Sequence, residues 1–323
     1  MDLNFLRPCF LGPQAENAEL LEQLLLELVR DHCFWRRNFH SDDAPAVPPG
    51  AAHDPEYAEF ASRMIKELRS LGAELKRAVP FYSPRYVGHM SADLLLPAFI
   101  ARVMTTLYNP NNVSEEAAPI TLEKELEVGE QLARMFGMEC DDRREPCAWG
   151  HLTSGGTVAN YEALWNLRSV KLYPLALAAA VRRTELDFGP VGPLAKPLTD
   201  YKDVELVHFT IQQVIELRNA IALRVRDLCD AAGTRAFSQA VRDRRIETLG
   251  TAEFFREHVS VTPPRVLVPA SAHYSWEKGM KVLGLGTASL VPVAVDDPMR
   301  LDPPDLARTL QTDVDEAVAT AIP

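Results

Sequence analysis

An α/β fold built on a parallel sheet, preceded by a helical N-terminal part, is what this 323-residue sequence predicts. Three observations point there. From Cys147 onward, short apolar runs of strand length alternate with segments of helical periodicity, the pattern of parallel strands joined by helices. Before Cys147 the apolar residues recur at helical spacing, broken by Pro- and Asn-rich loops. Apolar residues make up 47% of the chain, enough for a large core and for two domains.

In chain order, residues 14–39 carry Leu20, Leu21, Leu24, Leu25, Leu28 and Val29 on one helical stripe. The segment SDDAPAVPPGAAHDP (41–55) is a Pro-rich connector that cannot be helical throughout. A second helix is expected over 56–78, with Phe60, Met64, Leu68, Leu71 and Leu75 at helical spacing. A loop at 81–90, a helix at 91–106, a loop at 107–120 and a long helix at 121–137 follow. Asn109, Pro110, Asn111 and Asn112 give the second loop its turn chemistry.

CAWGHLTS (147–154) reads as a short strand, and TVANYEALWNLRSVKL (157–172) as a helix whose larger apolar residues are Val158, Tyr161, Leu164, Trp165 and Val170. A long, mostly helical interruption at about 173–262 contains a flexible GPVGPLAKP stretch. Then RVLVPAS is a buried strand, SWEKGMKVLGL a helix, ASLVPVAV a strand and PPDLARTLQTDVDEAV a helix. The final AIP reads as the lead-in to another strand.

A net charge of −11 argues against a polyanionic partner such as nucleic acid. The five cysteines form no CxxC pair and no even set, which favours a reducing compartment over a disulfide framework. Cys140 and Cys147 flank DDRREP with His151 close by, but no fourth ligand is evident and no metal site is expected. No run of about 18 apolar residues exists, and MDLNFLRPCF lacks a basic region followed by an apolar one. A soluble, cytoplasmic protein without a membrane partner is the expectation.

The chemistry concentrates in HLTSGGTVAN (151–160), read as a strand turning sharply into a helix at Gly155 and Gly156. A helix start leaves N–H groups without partners and favours negative charge. Glycines let an oxyanion approach the backbone, and the hydroxyls of Ser154 and Thr157 add donors. An anion, most often a phosphate, suits this corner, although a Gly-Gly turn alone is commonly just a turn. His273, in SAHYSW (271–276), lies just past a buried strand, at the end of the sheet where α/β folds bind ligands. A lone histidine there is more often a hydrogen-bonded structural residue. Two such features on one face of the sheet would pair a phosphate cradle with an imidazole able to lie flat on an aromatic ring. Pyridoxal 5'-phosphate (PLP) is the candidate cofactor. An ordinary nucleotide-binding protein fits the corner but not the absence of a GxGxxG or GKS/T continuation.

Five segments in order resemble the PLP-dependent amino-acid decarboxylases of the glutamate, aromatic-amino-acid and tyrosine type, most of all the bacterial tyrosine decarboxylases. They are CFWRRNFHSDD (33–43), SPRYVGHMSADLLLPA (83–98), NPNNVSEEAAPITLEKELEVG (109–129), WGHLTSGGTVANYEALWNLR (149–168) and VPASAHYSWEKGMKVLGLG (268–286). The resemblance implies the N-terminal part of a fold-type-I PLP enzyme, an incomplete mixed sheet flanked by helices. Residues 1–90 would form a helical segment for the dimer and substrate entrance. Residues 91–323 would form an incomplete cofactor-binding large domain, and the small C-terminal domain is absent. It further implies that Gly156 and Thr157 bind the cofactor phosphate, with Ser154 and Gly155 shaping the turn. His273 would stack on the pyridine ring as the catalytic residue. Tyr86 to His89 and Val113 to Pro119, Ser114 among them, would line the substrate entrance, and the assembled enzyme would be a homodimer.

The same resemblance exposes a gap. The family's Schiff-base lysine directly follows a histidine, after a strand whose aspartate pairs with the pyridine nitrogen. None of this chain's lysines follows a histidine, and Lys278 and Lys281 belong to the expected helix after His273, facing solvent. A complementary C-terminal polypeptide or segment would supply lysine and aspartate, and the chain alone is expected to be inactive and not stably folded. The alternative is a non-catalytic half that binds and regulates a decarboxylase.

Overall fold

The computed structural model describes residues 6–315, 320 and 321, apart from 49, 142, 145, 146, 185 and 187. Sequence expectations for residues 1–5, for part of DDRREP, for 316–318 and for the last two residues of AIP lie outside the described residues. Two compact units emerge, residues 1–151 and residues 152–323.

The first unit holds four long helices: α1 (Ala18–Phe39), α2 (Pro55–Leu75), α3 (Leu96–Tyr108) and α4 (Pro119–Met135). Their starts follow local rules. Pro55, Pro97 and Pro119 each stand in a first turn, where the missing N–H costs nothing, and Asp54 caps α2 by accepting from the Glu56 and Tyr57 amides. Proline placement explains why α3 begins five residues later than expected. Asn109 ends α3 in the left-handed conformation (φ 49°). Packing is thin. His32 is the one described residue that α1 buries, set edge-on to Tyr108, and α2 buries none, leaving Phe60, Leu68 and Leu75 more than half exposed. The Leu20 to Val29 stripe is therefore helical but only half-covered, with Leu20 and Val29 exposed.

The second unit contains a parallel sheet of β1 (Arg265–Pro269), β2 (Leu290–Val293) and β3 (Thr320–Ala321), in the order β2-β1-β3. Helix α5 (Gly156–Val181) runs before it, α10 (Ser275–Val282) joins β1 to β2, and α11 (Pro303–Asp315) lies between β2 and β3. β1 is buried in its middle three residues, as a central parallel strand should be. Arg265 on β1 pairs with the buried Asp313 of α11 at 2.6 Å. The Asp305 carboxylate accepts from the Ala294 amide at 2.7 Å and ties the start of α11 to the end of β2.

Two expectations need correction. CAWGHLTS is not a strand: residues 147–155 pair with no strand among the described residues, and a strand exists only through a ladder. The helix after the corner does not stop at residue 172. It continues through Pro174 to Val181, because nearly every residue from Leu172 on is buried and that burial outweighs the lost hydrogen bond.

The expected interruption is indeed mostly helical: α6 (Asp203–Leu206), α7 (Ile211–Leu228), α8 (Ala231–Asp243) and α9 (Ile246–Glu257). It holds the largest core of the unit, where Leu172 and Leu175 of α5 share a cluster with Leu217 and Ile221 of α7 and Phe254 of α9. GPVGPLAKP is irregular, with Gly189 and Gly192 at positive φ, and Leu194 sits in that core. A smaller cluster of Leu164, Val266, Val268, Met280 and Leu285 holds the N-terminal half of α5 to β1 and α10.

Candidate functional site

Helix α5 opens at the glycine corner. Gly155 precedes it with nearly extended backbone (φ 158°, ψ 165°), and no side chain caps the helix. Its first turn carries no acidic residue. The amides of Val158 and Ala159 turn back onto the Gly155 carbonyl at 3.0 and 3.2 Å, and Thr153 Oγ1 donates to the same oxygen at 3.1 Å. A Cβ added at Gly155 or Gly156 would meet nothing within 4 Å. Packing therefore does not require either glycine, and the space before the helix start is open to a ligand. Ser154, Gly155 and Gly156 are exposed and Thr157 is half-buried. An unopposed helix dipole, free amide positions and room for an oxyanion are the elements of a phosphate seat.

His273 stands beside this corner through a two-step hydrogen-bond chain. Asn160, one turn after Gly156 on the same face of α5, donates from Nδ2 to Ser275 Oγ at 2.8 Å. Ser275 is fully buried, and its hydroxyl lies 2.9 Å from His273 Nδ1. The Ser275 amide also donates to Nδ1, at 3.2 Å. Two donors on Nδ1 make it the acceptor and leave the proton on Nε2. The imidazole is thus held at one end while its ring remains exposed, with Tyr274 at 4.1 Å between centroids. Asn160 and Ser275 were not singled out from sequence; their spacing from Gly156 and His273 was the available signal.

The approach of α10 to α5 makes this chain of bonds possible. A Cβ on Gly279 of α10 would lie 2.5 Å from Leu164 Cδ1 and 3.2 Å from Tyr161, so only glycine permits the contact. Arg168 of α5 secures the other end of α10, donating to the Leu283 carbonyl at 3.1 Å. Burial lowers the Arg168 pKa, and Glu247, 3.7 Å away, opposes that shift.

The expected entrance residues belong to the first unit. The half-buried Tyr86 accepts from the His89 amide at 2.8 Å and packs edge-on against Phe81, while His89 is exposed. Ser114 is half-buried, and its hydroxyl holds the Glu116 carboxyl below the usual range. Among the lysines, Lys281 pairs with Glu277 on an exposed face and Lys278 lies over the Tyr274 ring. Lys171 is half-buried, donates to the Val207 and Phe209 carbonyls, and has its pKa lowered by burial.

Comparison with protein-family models finds no match. Curated relatives do match. Over 308 residues the chain is 30% identical to L-tyrosine decarboxylase of Levilactobacillus brevis, covering 94% of this chain and 42% of the relative. The L-tyrosine decarboxylase of Enterococcus faecium is 28% identical over 97% of this chain and 45% of its own length. This chain is similar to these amino-acid decarboxylases along nearly its whole length. It corresponds to their N-terminal part and spans less than half of their length. Among solved structures, apo mouse CSAD is 18% identical, with a TM-score of 0.47 over 95% of this chain and 48% of that one. No helix among the described residues is long and apolar enough to cross a membrane.

Proposed function

We propose that this chain is the N-terminal portion of a PLP-dependent decarboxylase that converts an aromatic L-amino acid to its amine and CO2. The observation that carries the reading is the Asn160–Ser275–His273 chain, which sets an imidazole beside an open, glycine-fronted helix start. The amides at Gly156 and Thr157 would hold the phosphate, with the Ser154 and Thr157 hydroxyls as further donors. His273, pinned through Nδ1, would lay its ring on the cofactor and keep its Nε2 proton. When bound, PLP supplies the electron sink for the charge left as CO2 departs. Tyr86, His89 and Ser114 are assigned to the substrate entrance. A further segment or polypeptide would supply the lysine that anchors the cofactor, in a cytoplasmic homodimer.

Co-expression with the complementary segment tests this reading. A visible absorbance band from bound cofactor, with amine released from L-tyrosine, is the expected result. A stable complex that retains PLP poorly and releases no amine would instead favour a regulatory, non-catalytic half.

A further inference from the structure

The helical part of the second unit contains a cavity that the proposed decarboxylase function does not use. Helices α5, α7 and α8 leave a well of about 370 Å³. Its apolar wall comes from core residues: Leu177 of α5, Ile221 and Val225 of α7, and Phe237 and Val241 of α8. Its charged residues are Arg218, Arg226, Arg242 and Arg245, with no carboxylate among the lining side chains. Four arginines lining one well stand out in a chain of net charge −11.

The arginines differ in commitment. Arg245 is paired with Glu247 at 3.1 Å, and Arg242 donates to Gln239. Arg218 and Arg226 make no ion pair or hydrogen bond among the described residues. They stand eight residues apart on α7, on one face, with the small Ala222 midway leaving the gap between them. Tyr173 completes the rim. Burial raises its pKa while Arg218 and Arg245 lower it, which sets the hydroxyl in the field of both.

We infer that this well, bounded by Arg218 and Arg226 over a floor of Ile221, Val225 and Phe237, binds a small amphipathic anion: one carboxylate or phosphate on an apolar body of about ring size. The volume is at the small end of ligand pockets. Uncommitted guanidiniums favour planar oxyanions by bidentate hydrogen bonding, while the apolar floor rewards an attached ring. Tyr173 lies 17 residues along α5 from Gly156, about 25 Å at the helical rise, so the well is separate from the glycine corner.

The test uses the full chain, with its complementary segment wherever that keeps it in solution. Calorimetric titration compares phenyl phosphate, phenylacetate, inorganic phosphate and benzyl alcohol. At least one aromatic anion should bind about tenfold or more tightly than either inorganic phosphate or benzyl alcohol. The tighter of the two anions identifies the phosphate or the carboxylate source. Arg218→Ala with Arg226→Ala should weaken binding about tenfold or more, and a thermal melt establishes that this doubly substituted protein is folded. Arg224→Ala, an exposed change on the same helix outside the well, should leave binding within about twofold, as should Gly156→Val, which closes the corner. Aromatic anions that bind no better than inorganic phosphate, or binding that survives the double substitution, would overturn the inference. Loss of binding in Gly156→Val alone would do the same, by assigning it to the corner.

Discussion

At the scale of single residues, His273 separates chemistry from packing. Its ring is exposed and its hydrogen bonds among the described residues are made through Nδ1, so His273→Ala removes little buried surface. In the assembled enzyme this substitution should slow decarboxylation about 10²- to 10³-fold per mole of bound cofactor, with a small change in melting temperature. His273→Phe should retain cofactor better than it retains rate. A large drop in melting temperature with normal rate would instead make His273 structural. Ser275→Ala refines the test: it removes the hydroxyl between Asn160 and the imidazole while leaving the ring in place, and should lower the rate less than His273→Ala. Gly156→Val, unhindered by any neighbour within 4 Å, should fold and yet lose cofactor affinity by about 2 kcal/mol, read by dialysis. As candidates, the glycines stood out in the sequence as a turn before a helix, whereas the weight on His273 came mostly from the family resemblance. Asn160 and Ser275 were not, since their roles arise from a contact 115 residues apart.

At the scale of elements, local pattern and tertiary pairing part company. Helices α1 and α2 were legible from apolar spacing, α4 as a long helix after an Asn-rich loop, and β1 and β2 from short apolar runs. CAWGHLTS carries the same kind of run but joins no strand ladder among the described residues, which no local pattern reveals. The expected end of α5 at residue 172 fell short, since the burial that sustains the helix through Pro174 comes from α7, α8 and α9. Gly279→Val tests the close approach of α10 to α5: its side chain would press on the buried Leu164 and cost about 1–3 kcal/mol. The displaced α10 should also carry His273 away from the corner, so cofactor retention falls with stability. A second element-scale test concerns α6 and the segment after α9. His258, buried, lies 2.6 Å from Asp203, and the Arg182 guanidinium lies 3.3 Å from the same carboxylate. The His258 hydrogen bond, above all, holds the Asp203 carboxyl below its usual range. A depressed folded pKa gives stability that is present above the unfolded value of about 4 and is lost as pH falls through the folded one. Thermal melts of the protein assembled with its complementary segment should therefore show the advantage of wild type over Asp203→Asn at neutral pH shrinking as the pH drops below about 4. An advantage that persisted undiminished in acid would refute this.

At the scale of the whole molecule, the surface does not match the mass. The chain exposes 22627 Å² at 36.0 kDa, whereas a single globular monomer of that mass exposes about 13,000 Å². Two separate globules of half the mass would expose about 16,000 Å², so the excess does not depend on how the two units are arranged. Much of it is apolar: the outer face of α2, Phe34 and Phe39 of α1, and Trp149 ahead of the corner are all largely exposed. The sheet contributes too, because β2 and β3 each pair on one side only among the described residues. Apolar area and open strand edges on this scale call for a covering surface or lead to aggregation. Expressed alone, the chain should be insoluble, or bind a hydrophobic dye without a cooperative melt, and with the complementary segment it should become soluble and melt cooperatively. A monodisperse, cooperatively melting 36.0 kDa monomer, seen by light scattering and calorimetry, would sink the idea. The helical core around α5 and α7, closed on itself, gives the prediction its finer form. In the isolated chain, amide exchange should protect Leu217 and Ile221 well above Phe60 and Leu68, since the first pair is buried and the second is more than half exposed.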